Sequence, residues 1–485
     1  MSFVVASFLE GNIGTSVRRC EGRIARTPGG LVLAPSRCMT WIAPATKPSR
    51  GPSGRNNLGP IVPSYLHSLL LSGSVFLDCR TLKSRFSDSN IRRVRTREPM
   101  SDKSDTNRTI TRRQFARTTA FGLGVAPIFG RASLPLIAPE RRRLPDSDKL
   151  GIALVGLGSY STWQLAPALE QTGRCKLAGI VTGTPSKAAS WQEKHPELKG
   201  HVYSYETFDR IADDDAIDIV YVVLPNSMHA EYTIRAARAG KHVICEKPMA
   251  VSSAEAQQMI DACDEAGRRL YIGYRLHFEP HNLEAMRIGR EAVFGKMKYV
   301  QAEFGFRIGD PTQWRLKKAL AGGGALMDVG IYALQAARYV TGEEPVAVTA
   351  QEYKTDPVKF AEVDETINWQ LTFPSGCVAN CSTSYATGQH RLFASAESGW
   401  LQLRPAYSYS GIAGETSKGR MDFPQVNQQA LQMDGMAESI VTGSELDADG
   451  HEGLRDVRII EAIYESVRTG REVSLDAEFP IRRNR

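Results

Sequence analysis

Residues Leu150-Gly-Ile-Ala-Leu-Val155 run straight into Gly156-Leu157-Gly158-Ser159-Tyr160-Ser161. The first six are uncharged and mostly apolar, and read as a buried strand. The Gly-x-Gly that follows lets the backbone turn and approach a ligand closely. Residues from about Trp163 to Gln171 read as a helix, and Lys176-Leu-Ala-Gly-Ile-Val181 as the next strand. Strand, glycine turn, helix and strand in this order predict a dinucleotide fold, with the pyrophosphate on the helix N-terminus. Ser161 stands where a third glycine is usual and is small enough for close helix packing. Gly156, Leu157, Gly158 and Tyr160 are therefore expected to contact a cofactor.

The end of the second strand discriminates between cofactors. An NAD site usually places Asp or Glu there, for the ribose 2′-hydroxyl. Here the residues are Val181-Thr182-Gly183-Thr184-Pro185-Ser186-Lys187, with no acid to repel a 2′-phosphate. Thr182 and Lys187 are candidate ligands, and NADP is favoured over NAD. The alternation continues with the buried-strand pattern Ala216 to Leu224, then Pro225-Asn226-Ser227-Met228-His229 and a helix to Ala239. Gly240-Lys-His-Val-Ile-Cys-Glu246-Lys247-Pro248 follows, ending in a charged pair where open α/β sheets place their ligands. These stretches predict a doubly wound NAD(P)-binding Rossmann domain over 149–273.

After Glu291 strand-like runs dominate: Lys298–Phe306, Val346–Tyr353, Thr366–Phe373, Cys377–Ser384 and Leu392–Leu403. Pro374-Ser-Gly376 reads as a turn. An α+β domain with a large, mainly antiparallel open sheet is expected over 274–475, followed by a tail at 476–485. Helices over about 428–441 and 453–468 should pack back on the first domain. The second face of an open sheet must be hidden or leave an apolar patch, so a homodimer or homotetramer is expected.

The series Gly156-Leu-Gly158, Leu224-Pro-Asn-Ser-Met-His229, Glu246-Lys247-Pro248 and Gly322-Gly-Gly-Ala-Leu-Met-Asp328-Val-Gly-Ile-Tyr332 resembles the glucose–fructose oxidoreductase, inositol dehydrogenase and rhizopine catabolism family. Within it, the glucose–fructose oxidoreductase branch is the most similar. The likeness covers about residues 148–475, with the motifs in family order. It implies redox chemistry on sugars with a nicotinamide cofactor. It also implies that Lys247, Asp328 and Tyr332 are catalytic. Many relatives carry His where Tyr332 stands. Leu224, Pro225, Asn226, His229, Glu246 and Lys247 are expected at the cofactor. Arg275, Trp314 and Arg315 are expected at cofactor or substrate.

The residue chemistry stands beside the resemblance. If Gly322 to Gly324 open a helix, Asp328 and Tyr332, four apart, share one face. Tyr is a weak base at its ordinary pKa near 10, and a lysine ammonium nearby favours the phenolate. Tyr332 is then expected to take the proton of a sugar's anomeric hydroxyl. Lys247 supports the developing charge and Asp328 orients the sugar. Reduction of a second sugar would recycle the cofactor. Two other readings are a glycoside hydrolase of the same fold that uses retained NAD, and a non-catalytic cofactor-binding protein. Tyr332 and the acid-free cofactor loop weigh against the first. The intact Lys247, Asp328 and Tyr332 set weighs against the second.

The chain has 485 residues and a net charge of +7, unevenly spread. Residues 1–99 hold 13 Arg and 2 Lys against 5 acids, and residues 100–150 hold 10 basic and 5 acidic residues. Residues 151–485 hold 35 basic and 43 acidic residues, which argues against a nucleic-acid surface there. Residues 1–99 lack sustained periodicity and read as a disordered or mistranslated leader, with Met100 as the initiator. Residues 100–132 resemble a twin-arginine signal, with Thr111-Arg112-Arg113-Gln114-Phe115-Ala116-Arg117 before an apolar segment. Periplasmic export is expected, with 133–148 as a linker arm. No apolar run reaches the ~18 to 20 residues of a spanning helix. The eight cysteines show neither a disulfide framework nor a zinc pattern, and no metal is expected.

Overall fold

The computed structural model describes residues 144–475, together with the backbone of short strands between residues 4 and 40. The chain divides into two compact units, Met1–Ala126 and Pro127–Arg485. The first unit carries a hairpin, Ile24–Thr27 with Gly30–Leu33, and pairings among Val4–Val5, Arg18–Glu21 and Met39–Thr40. These short strands are all that is described of residues 1–99, the expected leader. Each is two to four residues long, too short for periodicity to mark. The twin-arginine stretch and the tail at 476–485 lie outside the described residues.

In the second unit, β1 (Leu150–Val155), β2 (Cys175–Val181), β3 (Val202–Tyr203), β4 (Ile219–Val222), β5 (His242–Cys245) and β6 (Leu270–Ile272) form one sheet. Its order is β6-β5-β4-β1-β2-β3, every pair parallel. The central strands are covered on both faces, so Ile219 to Val222 are all fully buried. This is why they read as continuous apolar runs without alternation. Between them run α1 (Ala166–Leu169), α2 (Pro185–Lys194), α3 (His229–Arg238) and α4 (Ser253–Glu265). The order reverses at β1, and the crevice at the strands' carboxyl ends there is where such sheets bind ligands.

Past α5 (Pro280–Arg290) the chain builds a nine-stranded sheet. Its strands are β7 (Met297–Gly305), β8 (Ala347–Tyr353), β9 (Thr366–Thr372), β10 (Val378–Ser384), β11 (Gln389–Ala396), β12 (Trp400–Leu403), β13 (Gly414–Thr416), β14 (Gly419–Met421) and β15 (Val473–Ser474). The order is β14-β13-β12-β11-β7-β10-β9-β8-β15, antiparallel except for β7 with β10. The run Leu392–Leu403, expected as one strand, is a hairpin. It breaks at Glu397-Ser398-Gly399, where Ala396 N donates to Gly399 O at 2.8 Å.

The outer face of this sheet is mostly polar and not the continuous apolar patch expected. Along β9, Ile367, Trp369 and Leu371 point inward and are buried, whereas Asn368 and Gln370 are exposed. Gln301, Glu303, Thr349, Gln351, Asn380 and Ser382 continue that polar face. The period-two alternation therefore leaves mainly amides and hydroxyls on the open side, with Phe393 and Trp400 among them at β11 and β12.

The inner face carries α6 (Lys318–Ala321), α7 (Ile331–Thr341), α8 (Gln428–Thr442) and α9 (Gly450–Thr469) on or beside it. The last two return to the nucleotide sheet, as expected. Asp434 on α8 accepts from Gly173 N at 2.9 Å and Arg174 N at 2.8 Å. Tyr271 on β6 donates to Ser439 at 2.7 Å.

Candidate active site

At the end of β1, Gly156 has φ +94°, and a Cβ there would meet Val223 O at 2.5 Å. Only glycine fits that turn. Ser161, in the position of the third glycine, donates to Gly156 O at 2.6 Å and so locks the turn. The helix begins at Ser159 and runs through a π-turn over Ser161–Leu165 into α1. A Cβ at Gly158 would meet nothing within 4 Å, so the backbone there faces open space that fits a pyrophosphate. Leu157 turns its side chain into the core, at 5% exposed, and is left with its backbone for a ligand.

At the end of β2, Thr182 is buried and its Oγ1 accepts from Thr184 N at 3.2 Å. Thr184 opens α2 without a side-chain cap, and the first turn of α2 holds no acid. Lys187 is exposed on that turn. An uncapped helix start with an exposed lysine fits a 2′-phosphate.

Two expected cofactor residues, His229 and Asn226, bond to backbone carbonyls of the protein. His229 is fully buried, with Nε2 against Leu224 O and Nδ1 against Pro248 O, both at 2.9 Å. It ties the loop after β4 to the Lys247-Pro248 turn. Burial pushes its pKa below the ordinary histidine value. Asn226 donates to Ala321 O at 2.8 Å and holds α6. Leu224 is buried, and Pro225 is the N-cap position of the short turn Asn226–Met228 between them.

Glu246 and Lys247 follow β5 directly. Tyr221 donates to Glu246 Oε1 at 2.7 Å, and Gln432 donates to Tyr221 at 2.7 Å. Burial holds the Glu246 carboxyl above the ordinary range despite that bond and the adjacent Lys247. Lys247 Nζ donates to Asp328 O at 2.6 Å and to Asp328 Oδ1 at 3.3 Å. It also lies 4.9 Å from the centroid of the Tyr332 ring.

The segment that brings Asp328 and Tyr332 to Lys247 departs from the helix expected at Gly322. Gly322 instead ends α6 in a left-handed conformation. Asp364 accepts from Gly324 N at 2.6 Å and Leu326 N at 2.8 Å, and so caps the segment that follows. Tyr464 donates to the same carboxylate at 2.7 Å. A Cβ at Gly324 would lie 2.1 Å from Asp364 O. The chain then enters α7 through a π-turn, Leu326–Gly330, which carries Asp328.

Asp328 Oδ2 accepts from Arg315 Nε at 3.0 Å and from the Tyr385 hydroxyl at 3.0 Å. With Lys247 on Oδ1, both oxygens are engaged. The carboxylate expected to orient the sugar thus holds Lys247 and Arg315 in place. Burial raises its pKa, but Lys247, Arg315 and the Tyr385 bond outweigh burial and hold it below the ordinary value. Burial likewise lowers Lys247, and the facing Tyr332, Asp328 and Glu246 outweigh that and hold it above the ordinary value.

Tyr332 is 8% exposed. Its ring packs against Phe304 at 5.4 Å and Tyr407 at 6.1 Å between centroids. Arg275, expected at a ligand, is buried and spends its guanidinium on protein groups. It donates to Tyr407 O at 2.5 Å, to Ser408 O at 3.1 Å and to Gln428 Oε1. Its Cζ lies 5.1 Å from the Tyr332 ring and 4.4 Å from the Tyr409 ring. Arg315 stacks 4.7 Å over half-buried Trp314.

Tyr385, Tyr409, Asp364 and Tyr464 were not visible in the sequence. Each reaches the site from a separate strand, loop or helix, and no local spacing marks them. Among the described residues there is no cluster of His, Cys, Asp or Glu placed to hold a metal ion. The five cysteines described are buried and unpaired, and no described helix is long and apolar enough to cross a membrane.

A glycine turn open to a pyrophosphate, a lysine paired with an aspartate at the next strand end, and a tyrosine between two cations define a nicotinamide-dependent oxidoreductase. Residues 150–274 match an oxidoreductase family with an NAD-binding Rossmann fold, and residues 283–402 match the C-terminal domain of the same family. The chain belongs to this glucose–fructose oxidoreductase, inositol dehydrogenase and rhizopine catabolism family.

Among its relatives, an NADP(+) D-xylose 1-dehydrogenase of Haloarcula marismortui is 33% identical, over 67% of this chain and 92% of the relative. A solved aldose–aldose oxidoreductase from Caulobacter crescentus is 50% identical, over 67% of this chain and 100% of that one, with a TM-score of 0.66. A levoglucosan dehydrogenase structure, 21% identical with a TM-score of 0.59, shares the fold.

Proposed function

We propose that the protein is an NADP-dependent sugar oxidoreductase that oxidises an aldose at C1 to the lactone and regenerates its cofactor by reducing a second sugar. The observation that carries this reading is the meeting of Lys247, Asp328 and Tyr332 at the end of β5, beside the open Gly156–Gly158 turn. Similar proteins support the substrate class. One is named for NADP(+)-linked oxidation of D-xylose, another for transfer between aldoses. The acid-free, uncapped start of α2 supports NADP.

A bound nicotinamide supplies the two-electron acceptor for the hydrogen on C1. Tyr332 takes the proton of the C1 hydroxyl. The Lys247 ammonium lies 4.9 Å and the Arg275 guanidinium 5.1 Å from the centroid of its ring, so two cations flank it. Asp328 keeps Lys247 cationic and aimed at the reacting oxygen, where the ammonium stabilises developing negative charge. In the return half-reaction Tyr332 gives the proton to the carbonyl oxygen of the acceptor sugar.

The test is product analysis. Purified protein incubated with one aldose and no added nucleotide is expected to yield aldonic acid and alditol in equal amounts. Formation of aldonic acid only when NADP(+) is supplied would contradict the recycling.

Twin-arginine export to the periplasm belongs to the same reading, supported by Thr111 to Arg117 in the sequence. Changing Arg112 and Arg113 to Lys should hold the protein in the cytoplasmic fraction, and unchanged export would reject it. A homo-oligomer is supported by the open outer face of the second sheet, where Phe393 and Trp400 pack 6.3 Å apart beside the amides, as aromatic side chains are enriched at interfaces. Sedimentation as a monomer at micromolar concentration would reject that.

A further inference from the structure

We infer that Tyr409 sets the residence time of the nucleotide, acting with Tyr160 as an aromatic clasp across the mouth of the cofactor cleft. The inference rests on the nucleotide-binding role of the Gly156–Gly158 turn and is independent of which sugar reacts.

Tyr160 lies two residues beyond Gly158, at the start of the helix that would face the pyrophosphate. Tyr409 comes from the loop between β12 and β13, in the other domain. Their ring centroids are 6.1 Å apart, tilted by 34°. Arg275 lies 4.4 Å from Tyr409 and 5.1 Å from Tyr332. A row of Tyr160, Tyr409, Arg275 and Tyr332 therefore runs from the glycine turn to the reacting tyrosine. A dinucleotide with its pyrophosphate at Gly158 and its nicotinamide at Tyr332 must lie along this row.

Tyr409 is 46% exposed, so its ring forms the outer member of the row. The loop beneath it is tightly anchored. Arg275 holds the carbonyls of Tyr407 and Ser408. Gln428 Nε2 donates to Ser408 O at 2.9 Å and Tyr409 O at 3.2 Å. His390 Nδ1 accepts from Ala406 N at 3.0 Å and Tyr407 N at 3.2 Å. Gln425 accepts from Gly411 N at 2.6 Å. These bonds, charge-assisted where Arg275 donates, fix the backbone that presents the ring. Nucleotide leaving the cleft must push the ring off Tyr160 and Arg275, and the anchored loop returns it. The contact therefore acts on the dissociation rate.

The test loads the protein with radiolabelled NADP(+) and follows loss of label under excess unlabelled NADP(+). Tyr409→Ala is expected to release label about tenfold faster than wild type, and Tyr409→Phe, which keeps the ring over Arg275, within about twofold. Because Tyr409 is half exposed, both variants should melt like wild type. Equal release by wild type and Tyr409→Ala overturns the clasp alone. Equally fast release by both variants overturns the role of the ring. A wild type that holds neither labelled NADP(+) nor labelled NAD(+) overturns the nucleotide site itself and the clasp with it.

Discussion

Lys247 and Asp328 are joined twice: Nζ donates to the aspartate's carbonyl at 2.6 Å and to its carboxylate at 3.3 Å. The two hydrogen bonds fix the ammonium on the end of the nucleotide sheet and on the entry to α7 at once. The side chains are 12% and 16% exposed, so water screens the pair little. The arrangement keeps a cation at one point of a cleft that also accepts a neutral sugar.

Replacing Lys247 by Met should lower kcat by about 10² to 10³, the effect of removing one group aimed at developing charge. Tyr332→Phe should lower kcat by about 10² to 10⁴, as for loss of a general base. In both variants KM should move much less than kcat. Steady-state kinetics with an aldose donor reads the split.

Tyr385→Phe removes one donor from Asp328. The Asp328 carboxyl is held below its ordinary value, so its contribution is present above about pH 4 and is lost as pH falls toward the folded-state pKa. The variant should raise that pKa, move the acid limb of the kcat/KM profile to higher pH and cost about tenfold in rate. An acid limb in the wild-type position would show that Tyr385 does not act through Asp328.

Lys247 has the opposite sign. Its pKa is held above the ordinary lysine value, so its contribution is complete below about pH 10 and is lost as pH rises through the folded-state value. Asp328→Asn removes the facing charge and should bring the alkaline limb down in pH. The pH profile of kcat measures it.

Gly324→Ala places a methyl 2.1 Å from the backbone of Asp364. Neither partner is a flexible side-chain end, so the start of α7 must shift. The cost should be about 1 to 3 kcal/mol, read as a lower Tm, with a larger loss in kcat than thermal stability alone explains.

Thr184→Asp introduces an acid at the N-cap of α2, where aspartate suits the helix but repels a 2′-phosphate. The ratio of NADP(+) to NAD(+) affinity should fall by about tenfold or more. Equilibrium binding of each nucleotide tests this without requiring turnover.

The nucleotide fold was legible because its strands are buried on both faces and its turns carry glycine. Apolar runs such as Ile219 to Val222 and the Gly156–Gly158 turn record that burial and curvature directly. Lys247, Asp328 and Tyr332 were legible from motif order. What local sequence could not show was how a side chain spends its bonds. Nothing near His229 or Arg275 says that carbonyls from Pro248 and Tyr407 close on them. Nor does spacing reveal Tyr385, which lies 57 residues from the aspartate it contacts. The polar outer face was readable in the alternation of Thr366-Ile-Asn-Trp-Gln-Leu-Thr372. The expectation of an apolar patch overlooked it by arguing from sheet architecture alone.

The central claim is that one bound nucleotide passes electrons between two sugars at Lys247 and Tyr332. It is tested most directly by the near-ultraviolet absorbance of the purified protein, with no nucleotide added. An aldose should produce the reduced-nicotinamide band in about one equivalent per chain, a second sugar should erase it, and Tyr332→Phe should slow both phases. A nucleotide-loaded protein whose absorbance stays flat with every aldose tried, or a reduced band that no second sugar removes, would contradict the account.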